Sequence, residues 1–178
     1  PIDRPHQNDQ TRRLMHALHD ADSSTRLRTA LAAGTEPHAE FVSVLVECCA
    51  FESDFYVRDM LTWALTRHPA EIVVPLLLAE LHSTTAQARS QALHTLSKIG
   101  DPRAWEWVYP DLLSAPEEDV ARAAVDLAAR RIGSSAGEGL PTRWADAVAD
   151  AARPSDADLA DELQDLLRVV DDLDTVPA

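Results

Sequence analysis

Few side chains in this sequence are spaced for chemistry. His16 and His19 stand i, i+3 in a helical segment, a spacing that can hold a metal ion, but nothing in the sequence fixes a third ligand. No metal is therefore expected. Cys48 and Cys49 are adjacent, with Glu47 and Glu52 close by. Neighbouring cysteines are badly placed to bridge one another, and nearby carboxylates raise a thiol pKa instead of activating the thiol. A helix sends consecutive side chains about 100° apart, so one thiol is expected in the core and the other at its edge. The carboxylates of Glu117, Glu118 and Asp119 cluster at a helix start, where the helix dipole accounts for them. No Gly-rich phosphate loop, G-x-S-x-G, H-E-x-x-H or CxxC pair occurs. The sequence therefore predicts no catalytic residues and no cofactor, a chain that is not an enzyme.

Residue types suited to binding are more ordered. Four arginines, Arg26, Arg58, Arg89 and Arg122, recur at steps of 32, 31 and 33 residues. Each follows a capping or acidic residue by four positions (Asp22, Asp54, Thr85 and Glu118). Apolar side chains at helical spacing come next: Leu27 and Leu31; Val57, Leu61 and Leu65; Ala88, Ala92, Leu93 and Leu96; Ala121, Val125 and Ala128. The arginines are expected to form a structural ladder, pairing with acids such as Asp22, Asp54 and Glu118 of neighbouring repeats. Two positions before each Arg a second stripe begins. It reads Tyr56, Met60, Trp63 and Arg67 in one repeat, and Gln87, Gln91, His94 and Lys98 in the next. Trp, Tyr and Arg dominate interface energetics, and Met adapts to varied partners. Tyr56, Met60, Trp63, Arg67, Gln91 and His94 are accordingly the candidate partner-binding residues, unless the aromatic ones prove to be packed against the preceding repeat.

These residues need helices to position them, and the composition supplies them. Of 178 residues only 5 are Gly, Ala and Leu dominate, and 46% are hydrophobic. Helices are predicted at about 9–19, 23–33, 38–50, 54–67, 70–82, 84–99, 102–114, 117–132, 141–152 and 155–172. Gly34 reads as the residue that ends the second, and Gly100-Asp101-Pro102 as a stop, a turn and a restart. Trp105 and Tyr109 would share one face of the 102–114 helix, with Trp107 on another. In the last segment Leu159, Leu163, Leu166, Leu167 and Val170 form an apolar stripe opposite Asp158, Asp161, Glu162, Asp165 and Asp172. It reads as a lid. The predicted layout is a repeat array over 1–133 and a linker with an acidic cap over 134–178, within one domain.

Charge narrows the partners. The net charge is −14, with 16 basic residues against 30 acidic, and only Lys98 among the former is a lysine. Nucleic acid and anionic membranes call for cationic surface, so both are disfavoured, although a local basic strip would escape the total. No 18-residue apolar stretch occurs, and the start, Pro1 to Gln10, is too polar for a signal peptide. With only two adjacent cysteines, a cytoplasmic setting is expected.

The Asp54-Phe55-Tyr56-Val57-Arg58 start, the 31–33-residue period and the Ile99-Gly100-Asp101-Pro102 ending resemble short bacterial HEAT repeats of the phycobilisome-lyase type. The resemblance covers about 9–133. More weakly, the chain resembles HEAT modules attached to MerR-like regulators, without their DNA-binding domain. The likeness implies an all-α, right-handed solenoid of stacked helical hairpins with a C-terminal capping helix. It implies a scaffold or adaptor that recognises a protein or peptide on its concave face. HEAT-like folds also include DNA-alkylation glycosylases, whose aromatic and acidic groups Trp63 and Asp59 could imitate, and chromophore lyases. A structural or regulatory subunit without a discrete site, in which Tyr56 and Trp63 would be buried, is the remaining alternative.

Overall fold

The computed structural model describes residues 4–106, 108–134, 147 and 161. Among these there is no strand, and the fold is an α-solenoid built of helical hairpins. Its helices are α1 (Arg4–Leu18), α2 (Ser23–Thr35), α3 (Val42–Phe51), α4 (Phe55–Thr66), α5 (Ala70–Glu80), α6 (Ala86–Ile99) and α7 (Glu118–Ser134). The chain divides into two compact units, Pro1–Asp101 and Pro102–Ala178. The helices expected at 141–152 and 155–172, the latter the acidic cap, lie outside the described residues. Among the described residues no helix is long and apolar enough to cross a membrane.

The first unit contains three hairpins, α1–α2, α3–α4 and α5–α6. The second helices lie side by side, α2 against α4 and α4 against α6, while α3 packs on α4, α5 and α6. That central position makes α3 the most buried element. Val42, Val44, Leu45, Val46, Cys48, Cys49 and Ala50 are all buried. The expectation that one cysteine lies at the edge fails for this reason: neighbours surround the helix, so both of its divergent thiols are enclosed.

The second helices start as predicted. Asp22 accepts hydrogen bonds from the Ser24 and Thr25 N–H groups, and Asp54 from those of Tyr56 and Val57. They pack by a different rule from the one the leucines suggested. In α2 the buried residues are Ala30, Ala33 and Gly34, whereas Leu31 is exposed. Gly34 does not end the helix; it lies inside α2, facing α4. A Cβ there would lie 2.4 Å from the ring of Trp63 and 2.8 Å from the Ala64 Cα. Small residues let α2 approach α4 closely, and the larger ones turn outward.

In the second unit, the helix expected over 102–114 is instead two short 3-10 segments, Pro102–Glu106 and Pro110–Ser114. Pro110 causes the break. It has no N–H to donate, and it holds Tyr109 extended at φ −90°, ψ 129°. Tyr109 is exposed, and its extended backbone takes it out of the helix expected to carry it with Trp105; the side chains of Trp105 and Trp107 are outside the described residues. The Pro110–Ser114 segment packs on α7, where Leu113, Val120, Ala124 and Ala128 are buried.

Two glycine substitutions separate the two backbone demands. Gly100 caps α6 at φ 66°, in the left-handed region, so Gly100→Ala is expected to cost about 1–2 kcal/mol. Gly34→Ala would gain about 1 kcal/mol in helix propensity. The clash with the α4 backbone outweighs that, for a net loss of about 1–2 kcal/mol. Urea unfolding measures both; a Gly34→Ala protein more stable than the parent would disprove the close α2–α4 approach.

Candidate functional site

Arg26, Arg58 and Arg89 each occupy the fourth position of their helix. Side chains on a helix lean toward its N-terminus, so a long one at this position reaches back over the first turn. There it meets carbonyls of the loop that joins the two helices. Arg26 Nη1 donates to the Asp20 oxygen at 2.8 Å and the Ala21 oxygen at 3.0 Å. Arg58 Nη1 donates to the Glu52 and Ser53 oxygens, both at 2.9 Å. Arg89 Nη1 donates to the Ser83 oxygen at 2.7 Å. In all three the carbonyl six residues upstream is an acceptor. Arg58 thus clamps its own hairpin turn and not an acid of a neighbouring repeat, and Arg89 clamps its turn in the same way. Arg26 does both. Arg122, in α7, donates to Glu118 one turn earlier at 3.0 Å.

Glu52 ties the hairpins together. Its carboxylate accepts from Arg26 Nε at 2.7 Å and Nη2 at 2.9 Å, and from the Asp54 N–H at 2.8 Å. Gln87 Nε2, from α6, donates to the Glu52 carbonyl at 2.8 Å and to that of Cys49 at 3.0 Å. Burial by itself disfavours the Glu52 charge. The hydrogen bonds and charge of Arg26, with the N–H groups of Asp54 and Ser53, outweigh it and hold the carboxyl below its ordinary range. Gln87, expected on an open polar stripe, is committed to this junction. Nothing in the sequence assigns it or Glu52 this role: the turn residue equivalent to Glu52 is Asp20 in one hairpin and Ser83 in another, so no repeat pattern marks the junction.

With the turns fixed, α2, α4 and α6 present one outer face. It carries Ser24, Arg28, Leu31 and Thr35; Tyr56, Met60, Trp63 and Arg67; Gln87, Gln91, His94 and Lys98. All twelve are exposed or half-buried. The structure therefore brings Tyr56, Met60, Trp63, Arg67, Gln91 and His94 to one surface. Tyr56 is 73% exposed, while Trp63, at 38%, rests its ring on Gly34. The aromatic character continues onto the turn before α4, where Phe51 and Phe55 are bare. Phe55 meets Tyr56 edge-on at 5.7 Å, and the Arg58 guanidinium lies 6.0 Å from the Phe55 ring.

The groups spaced for other chemistry are engaged in structure. Burial pushes the Cys48 thiol up to about 11, with Glu47 and Glu52 adding to it, and the Cys49 thiol up to about 12. His19 donates Nδ1 to the Met15 carbonyl at 2.8 Å. Among the described residues no three His, Cys, Asp or Glu side chains converge as metal ligands would. Asp59 is exposed beside Trp63 on α4.

Glu52→Gln sets a neutral amide against the Arg26 guanidinium and is expected to cost about 2–3 kcal/mol near pH 7 by urea unfolding. Because the folded pKa is lowered, this stabilisation is complete above the unfolded value of about 4.3 and fades as pH falls through the folded value. The gap between parent and variant should close over that acid window. A gap unchanged down to about pH 3 would mean that the Glu52 charge contributes nothing.

No family model matches this sequence, and no curated protein sequence does. Three crystal structures of engineered proteins are similar to it. One has a TM-score of 0.50 at 14% identity, covering 91% of this chain and 98% of the other. A second has a TM-score of 0.47 at 22% identity, covering 89% and 47%, and a third 0.40 at 17%, covering 92% and 97%. At 14% identity the first likeness bears on the fold alone, and it supports a helical-repeat architecture.

Proposed function

We propose that this chain is a non-catalytic binding module of the HEAT-repeat type, which recognises a protein or peptide on the face of α2, α4 and α6. The observation that carries the reading is the exposure of Tyr56, on a helix whose other side is fully packed. A large aromatic left 73% open is costly to keep in water unless something covers it. Met60 and Trp63 extend the apolar strip along one side of α4, and Phe51 and Phe55 extend it around the turn. These are the side chains that act as anchors in interfaces. Their exposure also counts against a purely structural subunit, in which Tyr56 and Trp63 would be enclosed. A cytoplasmic setting goes with this reading, since both cysteines are free and buried.

Recognition here is complementarity on a preformed surface. The Arg clamps and the Glu52 junction fix the helices before a partner arrives, so little conformational entropy is lost on binding. Trp63 plays two parts, filling the space over Gly34 and presenting its outer edge, so truncating it would disturb packing as well as contact.

The test therefore leaves Trp63 in place. Affinity capture with the parent chain is compared with a Tyr56→Ala/Arg67→Ala variant of unchanged helical circular dichroism. A Glu71→Ala variant on α5 serves as the control. The double variant is expected to lose its specific partner by a factor of about 30 or more, equivalent to about 2 kcal/mol, with the control unaffected. If parent and double variant retain the same proteins equally well, the binding face is elsewhere.

A further inference from the structure

The twelve outward positions of α2, α4 and α6 hold no Asp or Glu, in a chain with 30 of them. They hold Arg28, Arg67 and Lys98. Among the described residues none of these three cations is in an ion pair; Arg28 Nη2 donates to the Thr25 hydroxyl at 3.4 Å, and that hydroxyl donates to Asp22, whose carboxylate feels the Arg28 charge. Acids border the face at Asp59, exposed beside Trp63 on α4, and at the two ends of α2, where Asp22 caps its start and Glu36 its end. The first helices of two of these hairpins, α3 and α5, have the opposite character, whereas α1 carries Arg4, Arg12 and Arg13 against Asp9. From residue 39 to 51 and from 70 to 80 there are four glutamates, Glu40, Glu47, Glu71 and Glu80, and no Lys or Arg. The unit is thus acidic where α3 and α5 meet solvent and cationic where α2, α4 and α6 do.

Position matters as much as sign. Tyr56, Met60 and Trp63 lie in the middle of the face, with Leu31 on the neighbouring helix. Arg67 and Lys98 lie together at its far end, where α4 and α6 terminate, and Arg28 lies along its α2 border. Helix axes pack about 8–10 Å apart, and the stretch from Tyr56 to Arg67 rises about 16 Å. Cations therefore border an apolar centre of a size to take one or two side chains.

We propose that this face takes an acidic protein segment, with apolar side chains seated on Tyr56, Met60, Trp63 and Leu31 and carboxylates paired to Arg28, Arg67 and Lys98. The proposal rests on the binding face described above and specifies the chemistry of its occupant. A protein segment fits better than a nucleic acid. A polynucleotide brings a phosphate at every residue, and three cations cannot neutralise it against a net charge of −14. Two or three carboxylates need only local partners, because the remaining acid, when more than about 8–10 Å away, is screened at physiological salt.

The experiment uses the full chain and fluorescence anisotropy with fluorescein-labelled peptides of about a dozen residues. They share one Phe-Leu core and are flanked by Glu, Gln or Lys; an oligothymidylate of similar length is the fourth probe. The Glu-flanked peptide is expected to bind about tenfold tighter than the Gln-flanked one, a gap that narrows with added salt. An Arg67→Glu/Lys98→Glu variant, verified as folded by circular dichroism, should reverse the order in favour of the Lys-flanked peptide. Tyr56→Ser should weaken all three. Equal binding of the Glu and Gln peptides, both still weakened by Tyr56→Ser, overturns the acidic partner and leaves the face. If no peptide binds, or if Tyr56→Ser changes nothing, face and partner fall together. Tighter binding of the oligothymidylate than of the Glu peptide overturns the proposal in favour of a nucleic-acid surface.

Discussion

Each hairpin of the first unit is held shut by an arginine that bonds the backbone of the turn before it. The carbonyls of a helix C-terminus and its following loop lack intrahelical donors, and left dry and unpaired each would cost about 1–3 kcal/mol. A guanidinium at the fourth position of the next helix supplies those donors from a side chain that already leans the right way. The turn then has one geometry, and so has the angle between the two helices. Glu52 extends the same device across hairpins. With Arg26 on its carboxylate and Arg58 and Gln87 on its carbonyl, it joins α2, α4 and α6 at a single turn. A surface shared by three helices is only as fixed as these junctions.

The contact between second helices follows from how little space the turns leave. Gly34 sits against Ala64, with Ala30 and Ala33 also buried in α2, and the Thr62 and Thr95 hydroxyls meet at 3.4 Å between α4 and α6. Small residues take the shared side, so bulky ones must go elsewhere. Some turn toward the first helices, as Leu61 and Leu65 do in their fully buried positions. Others, such as Leu31 and Tyr56, face water. The exposed aromatic strip on α4 and the glycine in α2 are two sides of one packing solution, and Trp63 belongs to both.

Spacing made the architecture legible, and chemistry blind to spacing hid the rest. The Arg period and the Asp22 and Asp54 caps are written in side chains, so hairpins and their register could be read directly. The partners of Arg58 and Arg89 could not be. A backbone carbonyl is offered by every residue type, so no side chain in the sequence marks it as a partner. Leu27 and Leu31 suggested a leucine core in α2 because their spacing is helical, yet periodicity alone does not say which face is inside. Gly34 looked like a stop because glycine so often ends helices. Its role in close approach depends on Ala64, 30 residues away. Pro110 was legible in principle, since the residue before a proline is pushed out of helical geometry, but the apolar pattern around it masked the break.

Net charge hides a distribution in the same way. A total of −14 argues against polyanions as partners only if the charge is spread evenly. Repeats prevent that. Each position on a hairpin recurs on the same side of the stack, so a bias at one register becomes a stripe, and opposite biases at two registers become opposite faces. Here α3 and α5 collect glutamate, though α1 does not share that bias, and the outward register of the second helices collects arginine and lysine. Acid away from that face keeps the chain well charged and limits self-association through the apolar strip, because two copies approaching face to face would oppose cation to cation. The same arrangement that makes the strip unfavourable for another copy leaves it open to a partner of the opposite sign.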